Sequence, residues 1–212
     1  MQIMIHAVPR RMWYVNEFLA PSLRAQGMEP EIFCDTGGLG NLGACLACFS
    51  QLAGDGETWH LQDDVLIARD FAERASKVPA GVANGFCHIR SNDDPRCTGE
   101  VYTPDLWNGF PCVKIPDAYA REFTEWIKTA DHDSWQDLMI RQNRADDFLF
   151  HRFMEDRHGT EKCYNVGPNL VEHVDWLIGG PIVGTWRGYI TRSDLWDDEE
   201  LVQDLKRRIK SR

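Results

Sequence analysis

"ETWHLQDDVLIARDF", residues 57–71, decides the fold. After a polar start, an apolar stretch runs into two adjacent carboxylates, Asp63 and Asp64, and a helix-like segment follows. The stretch predicts a strand over 58–62 and a helix over 67–78, with the acidic pair at the strand's carboxyl end. Two like charges at the end of a buried strand call for a reason.

Working outward, this unit is the third round of an alternation. "QIMIHAV" (2–8) is rich in β-formers and is stopped by Pro9; 12–27 reads as a helix interrupted near Pro21 and closed by Gly27. "PEIFCD" (30–35) is a second strand, "TGGLGNLG" a glycine-rich turn, and 41–53 a helix closed by Gly54-Asp55-Gly56. Strand and helix in alternation predict an α/β domain with a mostly parallel sheet and right-handed crossovers. The glycines follow the second strand in the spacing G-G-x-G-x-x-G, so they read as a tight turn and not as a dinucleotide fingerprint.

The second half is less regular. Strands are predicted over 80–90 and 110–115, with a polar loop at 91–109 between them. A helix over 117–129 carries Tyr119, Phe123, Trp126 and Ile127 at helical spacing. A further helix over about 143–157, an extended segment over 163–174 and a glycine-rich stretch to 188 complete the domain. Residues 1–190 are expected to form it. In 191–212, Leu201, Val202, Leu205 and Ile209 make one apolar stripe, so a packed terminal helix is expected there.

Composition narrows the function classes. With 43% hydrophobic and 26% charged residues the 212-residue chain is globular, and its formal charge of −10 opposes anionic polymers. The N-terminus lacks the apolar core of a signal peptide, and no apolar run approaches the roughly 20 residues that span a bilayer. A soluble cytoplasmic protein is therefore expected. Seven Cys at uneven spacing fit reduced thiols, and Cys45 and Cys48, a C-x-x-C without a second pair, read as buried helix thiols.

In open α/β sheets, ligands bind beyond the carboxyl ends of the strands. Asp63 and Asp64 at such an end suit Mg²⁺ or Mn²⁺, since hard cations take oxygen ligands. The bland alternative is that one Asp caps a helix beginning near Leu66 and the other is solvated. In "RADDFLFHRFMEDRHG" (144–159), Leu149, Phe150, Phe153 and Met154 form one helical face. Asp146 points into its middle, and Asp147 lies at its edge. Such an acid stabilises a helix N-terminus through capping and the helix dipole, unless it has another task.

These segments together resemble the nucleotide-sugar-dependent glycosyltransferases of the GT-A fold, over roughly residues 1–185. The resemblance implies a single three-layer α/β/α domain. It implies that Gln62-Asp63-Asp64 stands for the family's Asp-x-Asp motif, with an amide at the first acidic position. Asp64 would then be the direct metal ligand, with Asp63 beside it. "PNLVEH" (168–173) resembles the late P-x-L-V-x-H stretch of that family, which makes His173 the third candidate ligand for Mn²⁺ or Mg²⁺, the alternative being a satisfied core histidine. The loop 6–14 would meet the nucleotide, with Arg10 and Arg11 on phosphate and Trp13 on the base, although surface solvation and core packing explain these residues equally. Asp35 stands where a uracil- or ribose-contacting acid lies, or is an ordinary turn Asp. Asp146 or Asp147 would deprotonate the acceptor in an inverting reaction.

The implied partners are a nucleoside diphosphate sugar and a hydroxyl acceptor on a glycan, a protein or a modified nucleobase. Tyr102 and Trp107 are candidates for the acceptor wall, or Trp107 simply anchors a surface loop. A nucleotidyltransferase of related fold is the rival enzyme, but "HAVPRR" after the first strand has no glycine. A binding protein that kept the fold is the rival outside catalysis, supported by the amide at Gln62.

Overall fold

The computed structural model describes residues 1–52, 54–86, 99–102, 111–129, 146–159, 162–179 and 199–211. Nine strands are described: β1 (Gln2–Ala7), β2 (Glu31–Cys34), β3 (Glu57–Gln62), β4 (Val65–Ile67), β5 (Ala83–Asn84), β6 (Gly99–Tyr102), β7 (Cys112–Pro116), β8 (Lys162–Asn165) and β9 (Val171–His173). Seven form one sheet in the order β2-β1-β3-β7-β5-β8-β6, and β4 pairs with β9 in a separate ribbon. β1 is parallel to β2 and β3, and β5 to β8, while β7 and β6 are antiparallel to their neighbours. Five strands thus point one way and two the other, which gives the mostly parallel sheet of an α/β domain.

The helices among the described residues are α1 (Met12–Tyr14), α2 (Ala20–Arg24), α3 (Gly40–Phe49), α4 (Phe71–Ser76), α5 (Asp117–Thr129), α6 (Asp146–His158) and α7 (Glu199–Lys210). Alternation along the strands sends side chains to both faces of the sheet. Ile3, Ile5, Trp59 and Leu61 join Tyr14, Leu19, Phe71 and Leu205 in one core. Met4, Val113 and Ile115 join Phe49, Phe123, Phe150 and Phe153 in the other. Helix, sheet and helix make the three expected layers.

Pro21 does not interrupt the first helix. A π turn over Val15–Leu19 joins α1 to α2, and the chain stays helical through Pro21. Proline lacks the N–H that would bond the carbonyl four residues back. That carbonyl, of Glu17, instead accepts a 2.6 Å hydrogen bond from Nη1 of Arg208 in α7, whose guanidinium also lies 5.3 Å from the Phe18 ring centroid. Val202 and Leu205 of α7 are buried in the same core.

Several local expectations are corrected. No helix starts near Leu66: Val65–Ile67 pairs with Val171–His173, and α4 begins only at Phe71. A run of three apolar residues, two of them β-branched, favours the ribbon over a helix. The strand expected over 80–90 is described only at Ala83–Asn84, and 87–90 lie outside the described residues. The loop expected over 91–109 contains β6. The extended segment 163–174 is two strands in different sheets, because the chain leaves β8 and crosses to β4.

Gly85 marks a close approach just after β5. A Cβ there would lie 2.5 Å from Sγ of Cys112 and 3.2 Å from both Leu170 and Trp59. Gly85→Ala is therefore expected to lower stability by about 1–3 kcal/mol, the usual cost of overpacking. A urea melt checks it: an unchanged midpoint would mean that the three neighbours yield freely.

Candidate functional site

The site is built by the ends of β1 and β3 and by the β4–β9 ribbon. Where β1 ends, Pro9–Arg11 forms a 3-10 turn, closed by a 3.0 Å bond from the Arg11 N–H to the Val8 carbonyl. The turn brings Arg11 under the acidic pair. Nη1 of Arg11 donates to Oδ1 of Asp63 at 2.9 Å and also to Oδ2 of Asp64. The backbone N–H of Val8 donates to the other Asp63 oxygen at 2.8 Å. All three side chains are buried, Arg11 with only 2% of its surface exposed.

Register explains how His173 arrives. β4 begins directly after Asp64, Val65 stands opposite His173, and the Val174 N–H bonds the Asp64 carbonyl at 2.8 Å. His173 Nε2 consequently lies 3.1 Å from Oδ2 of Asp64, and its Nδ1 lies 4.0 Å from Oδ1 of Asp175. The remaining oxygen of Asp64, Oδ1, is buried and has no hydrogen-bond partner among the described residues.

The charges order themselves around this contact. Burial alone would raise the Asp64 pKa, but the His173 charge and hydrogen bond, with those of Arg11, hold it below the usual carboxylate range. Asp63 moves up, because burial and the Asp64 charge outweigh Arg11. Burial works against the charged form of His173, yet Asp64 overcomes it and raises the pKa. Beneath the pair, burial depresses His6 despite Asp35 and Asp64, and burial with His6 nearby brings His60 to about 3. These two imidazoles, with centroids 5.8 Å apart, stay uncharged at neutral pH.

A second acid lies at the start of α6. The glycine-rich turn is organised by Asp35, whose two oxygens accept the N–H groups of Gly37 at 3.1 Å and Leu39 at 2.9 Å. Gly38 and Gly40 supply the positive φ values of 67° and 75° that the turn needs. Asn41 follows in the first turn of α3, and its Nδ2 donates to Oδ1 of Asp146 at 2.5 Å. Asp146 is 2% exposed, and its Oδ2 has no partner among the described residues. Burial, then the neighbouring Asp147, pushes its pKa up to about 7, against the α6 backbone N–H groups and Asn41. Asp147 is half-buried.

The predicted residues separate accordingly. Asp63, Asp64, Arg11 and His173 are brought together. Asp146 and Asn41 form a second group, in which Asn41 was not foreseen; the only signal for it is a polar side chain directly after the glycine turn. Asp35 spends both oxygens on that turn. Gln62 is half-buried at the end of β3, and Arg10 is exposed. Trp13 packs partly against the core, its ring 5.8 Å from that of Tyr14. Trp176, 46% exposed beside Asp175, was also unforeseen. Cys45 and Cys48 are buried free thiols in α3, with burial raising Cys48 to about 12. The Tyr102 side chain and Trp107 lie outside the described residues.

As a cation site the residues fit in part. Asp64 offers one buried, unpartnered oxygen, while the nearer imidazole nitrogen of His173 is engaged by the other Asp64 oxygen. Both oxygens of Asp63 are engaged by Val8 and Arg11. As the side chains stand, no group of three or more His, Cys, Asp or Glu residues among those described is arranged to hold a metal ion. No described helix is long and apolar enough to cross a membrane.

Neither a protein-family model nor a curated protein sequence matches the chain. Among solved structures, it is similar to the inositol-1-phosphate CTP transferase from T. maritima, at 14% identity and a TM-score of 0.42, over 96% of this chain and 76% of that one.

Proposed function

We propose that the chain is a glycosyltransferase of the GT-A type, transferring a sugar from a nucleoside diphosphate sugar to a hydroxyl acceptor with Mn²⁺ or Mg²⁺. The observation that carries this reading is the meeting of Asp64 and His173 at the strand ends, with one Asp64 oxygen buried and unpartnered. Asp64 and His173 would hold the ion, with Asp63 beside them. A bound divalent ion supplies the positive charge that the leaving diphosphate needs as the glycosidic bond breaks.

The chain's own groups do the rest. Arg10, exposed at the mouth of the turn, would pair with phosphate oxygens. Asp146 would take the acceptor's proton at Oδ2, the oxygen left open when Asn41 holds Oδ1. A pKa near 7 suits that work, because such a carboxylate is largely ionised just above neutrality and is a stronger base than one in water. An in-line attack assisted in this way inverts the anomeric centre. The acceptor hydroxyl would belong to a glycan, a protein or a modified nucleobase.

One observation favours a second reading. Arg11 already bridges the acidic pair, as it would in a binding protein that kept the fold and lost the donor site. Donor hydrolysis separates the two. Incubation with UDP- and GDP-sugars is expected to release the nucleoside diphosphate only when Mn²⁺ or Mg²⁺ is present. No release from either donor, together with unchanged melting in nucleoside diphosphate plus Mn²⁺, would favour the binding protein.

A further inference from the structure

We infer that Asn41 is the positioning residue for Asp146, and that Asp35 acts through it by holding the glycine turn that starts α3. This rests on the glycosyltransferase reading and adds to it two residues that do not touch the reacting atoms themselves.

The first support is the bond itself. Nδ2 of Asn41 lies 2.5 Å from Oδ1 of Asp146. A carboxylate turns about a soft terminal torsion, so pinning one oxygen sets the plane of the group and with it the direction of the other. That other oxygen, Oδ2, is buried and has no partner among the described residues.

The second support is that Asn41 is held in its turn. It is the second residue of α3, and the stretch before it is closed by the two Asp35 oxygens on the N–H groups of Gly37 and Leu39, with Gly38 and Gly40 at positive φ. Deeper in the layer the same two helices meet through Phe49 of α3 and Phe150 of α6, whose ring centroids lie 6.3 Å apart. Asn41 therefore stands between an anchored turn and the start of α6, and it aims a carboxylate that comes 105 positions later in the chain.

The third support is the chemistry of the partner. An amide donates a hydrogen bond without bringing a charge. A cationic partner pulls a carboxyl down, as His173 and Arg11 do at Asp64. Asn41 offsets only part of what burial and Asp147 do to Asp146, which leaves that carboxyl at about 7. The titratable groups that face it among the described residues are Asp147 on its own helix and Cys45 on α3, and burial, then Asp146, keeps that thiol protonated. A base is thus held in place without being neutralised, which proton abstraction near neutrality requires.

Asn41→Ala and Asn41→Leu, the second close to asparagine in volume, remove the donor. The amide favours the ionised carboxylate, so its loss is expected to raise the midpoint of the Asp146 carboxyl titration, followed by NMR without any turnover, by about 1–2 pH units, the scale of a hydrogen bond to a charged group. In transfer from UDP- or GDP-sugars, kcat on the plateau above that midpoint is expected to fall about 10–100-fold, the usual effect of a displaced catalytic group, with the donor KM unchanged. The rise of kcat with pH should move up with the NMR midpoint, which loss of a merely structural contact would not produce. Asp35→Ala should shift both readings the same way and by less; a raised donor KM with kcat retained would instead make Asp35 a donor contact and overturn its part. An unmoved NMR midpoint in the Asn41 variants, or a moved midpoint with a wild-type plateau, overturns the positioning role. Failure of both Asn41 variants to fold would make the bond structural and overturn it as well. Absence of transfer by the wild type overturns the glycosyltransferase reading and this proposal with it, whereas failure of the Asn41 role alone leaves wild-type transfer intact.

Discussion

Asp146→Asn is expected to bind donor and Mn²⁺ as wild type does, and to transfer sugar about 10²–10⁴-fold more slowly, the usual scale for losing a general base. The base proposed here is Asp146 and not its neighbour because of their surroundings. It is buried, it is held at Oδ1 by Asn41, and its other oxygen is unpartnered among the described residues, whereas Asp147 is half-buried. Asp147→Asn should consequently keep most of the rate. The wild-type rate should rise with pH through about 7, as Asp146 loses its proton, and then level off. Stability should run the other way. The folded-state pKa of Asp146 lies above that of the unfolded chain, so the folded form binds more protons between about pH 4 and 7 and stability falls as pH rises across that window. Asp146→Asn removes this penalty and should melt higher than wild type at pH 8, with the difference shrinking as pH falls towards 4. Wild-type transfer by Asp146→Asn with intact donor affinity would end the base assignment.

Asp64→Asn is expected to weaken Mn²⁺-dependent binding of UDP or GDP by more than about 100-fold, because even the outer partners of metal ligands are worth about 10–100-fold. A ligand standing in water could be removed at no thermal cost, but Asp64 is not in water. It faces Arg11 and His173 in a buried network, so the metal-free variant should also melt lower, towards the cost of about 3–5 kcal/mol seen when one partner of a buried ion pair is removed. Asp63 still answers Arg11, which keeps the loss below the upper end. The His173 imidazole should lose the partner that raises its pKa, and its titration followed by NMR should move down. Undiminished diphosphate affinity in this variant, measured calorimetrically in Mn²⁺, would remove Asp64 from the site.

The alternation of strands and helices in the first 78 residues was legible because each element carries its own period and its own stop: Pro9, Gly27, the glycine turn, and Gly54 to Gly56. The face made by Leu149, Phe150, Phe153 and Met154 was legible for the same reason, and all four residues are buried. The β4–β9 ribbon was not. Val65–Ile67 is too short to show a period, and its partner lies more than 100 residues away, so only tertiary pairing decides that it is a strand. The acidic pair could be seen in the sequence, but its counter-ion could not. Arg11 is one of two adjacent arginines in a loop, and nothing local says that one points to solvent while the other is buried under two carboxylates. Asn41 was hidden similarly, since its partner Asp146 comes 105 residues later.

The bond from Arg208 to the Glu17 carbonyl ties the first helix to a residue 191 positions downstream. Until α7 has docked, this bond is missing from a helix whose neighbouring residues Phe18 and Leu19 belong to the core. Contacts of such long range are made late, because the entropy of closing the intervening chain opposes them. The segment that carries Arg11 to the acidic pair is the N-terminal continuation of this helix. During synthesis the helix can form its own turns and rest on β1, but the Glu17 bond waits for an element 191 positions downstream.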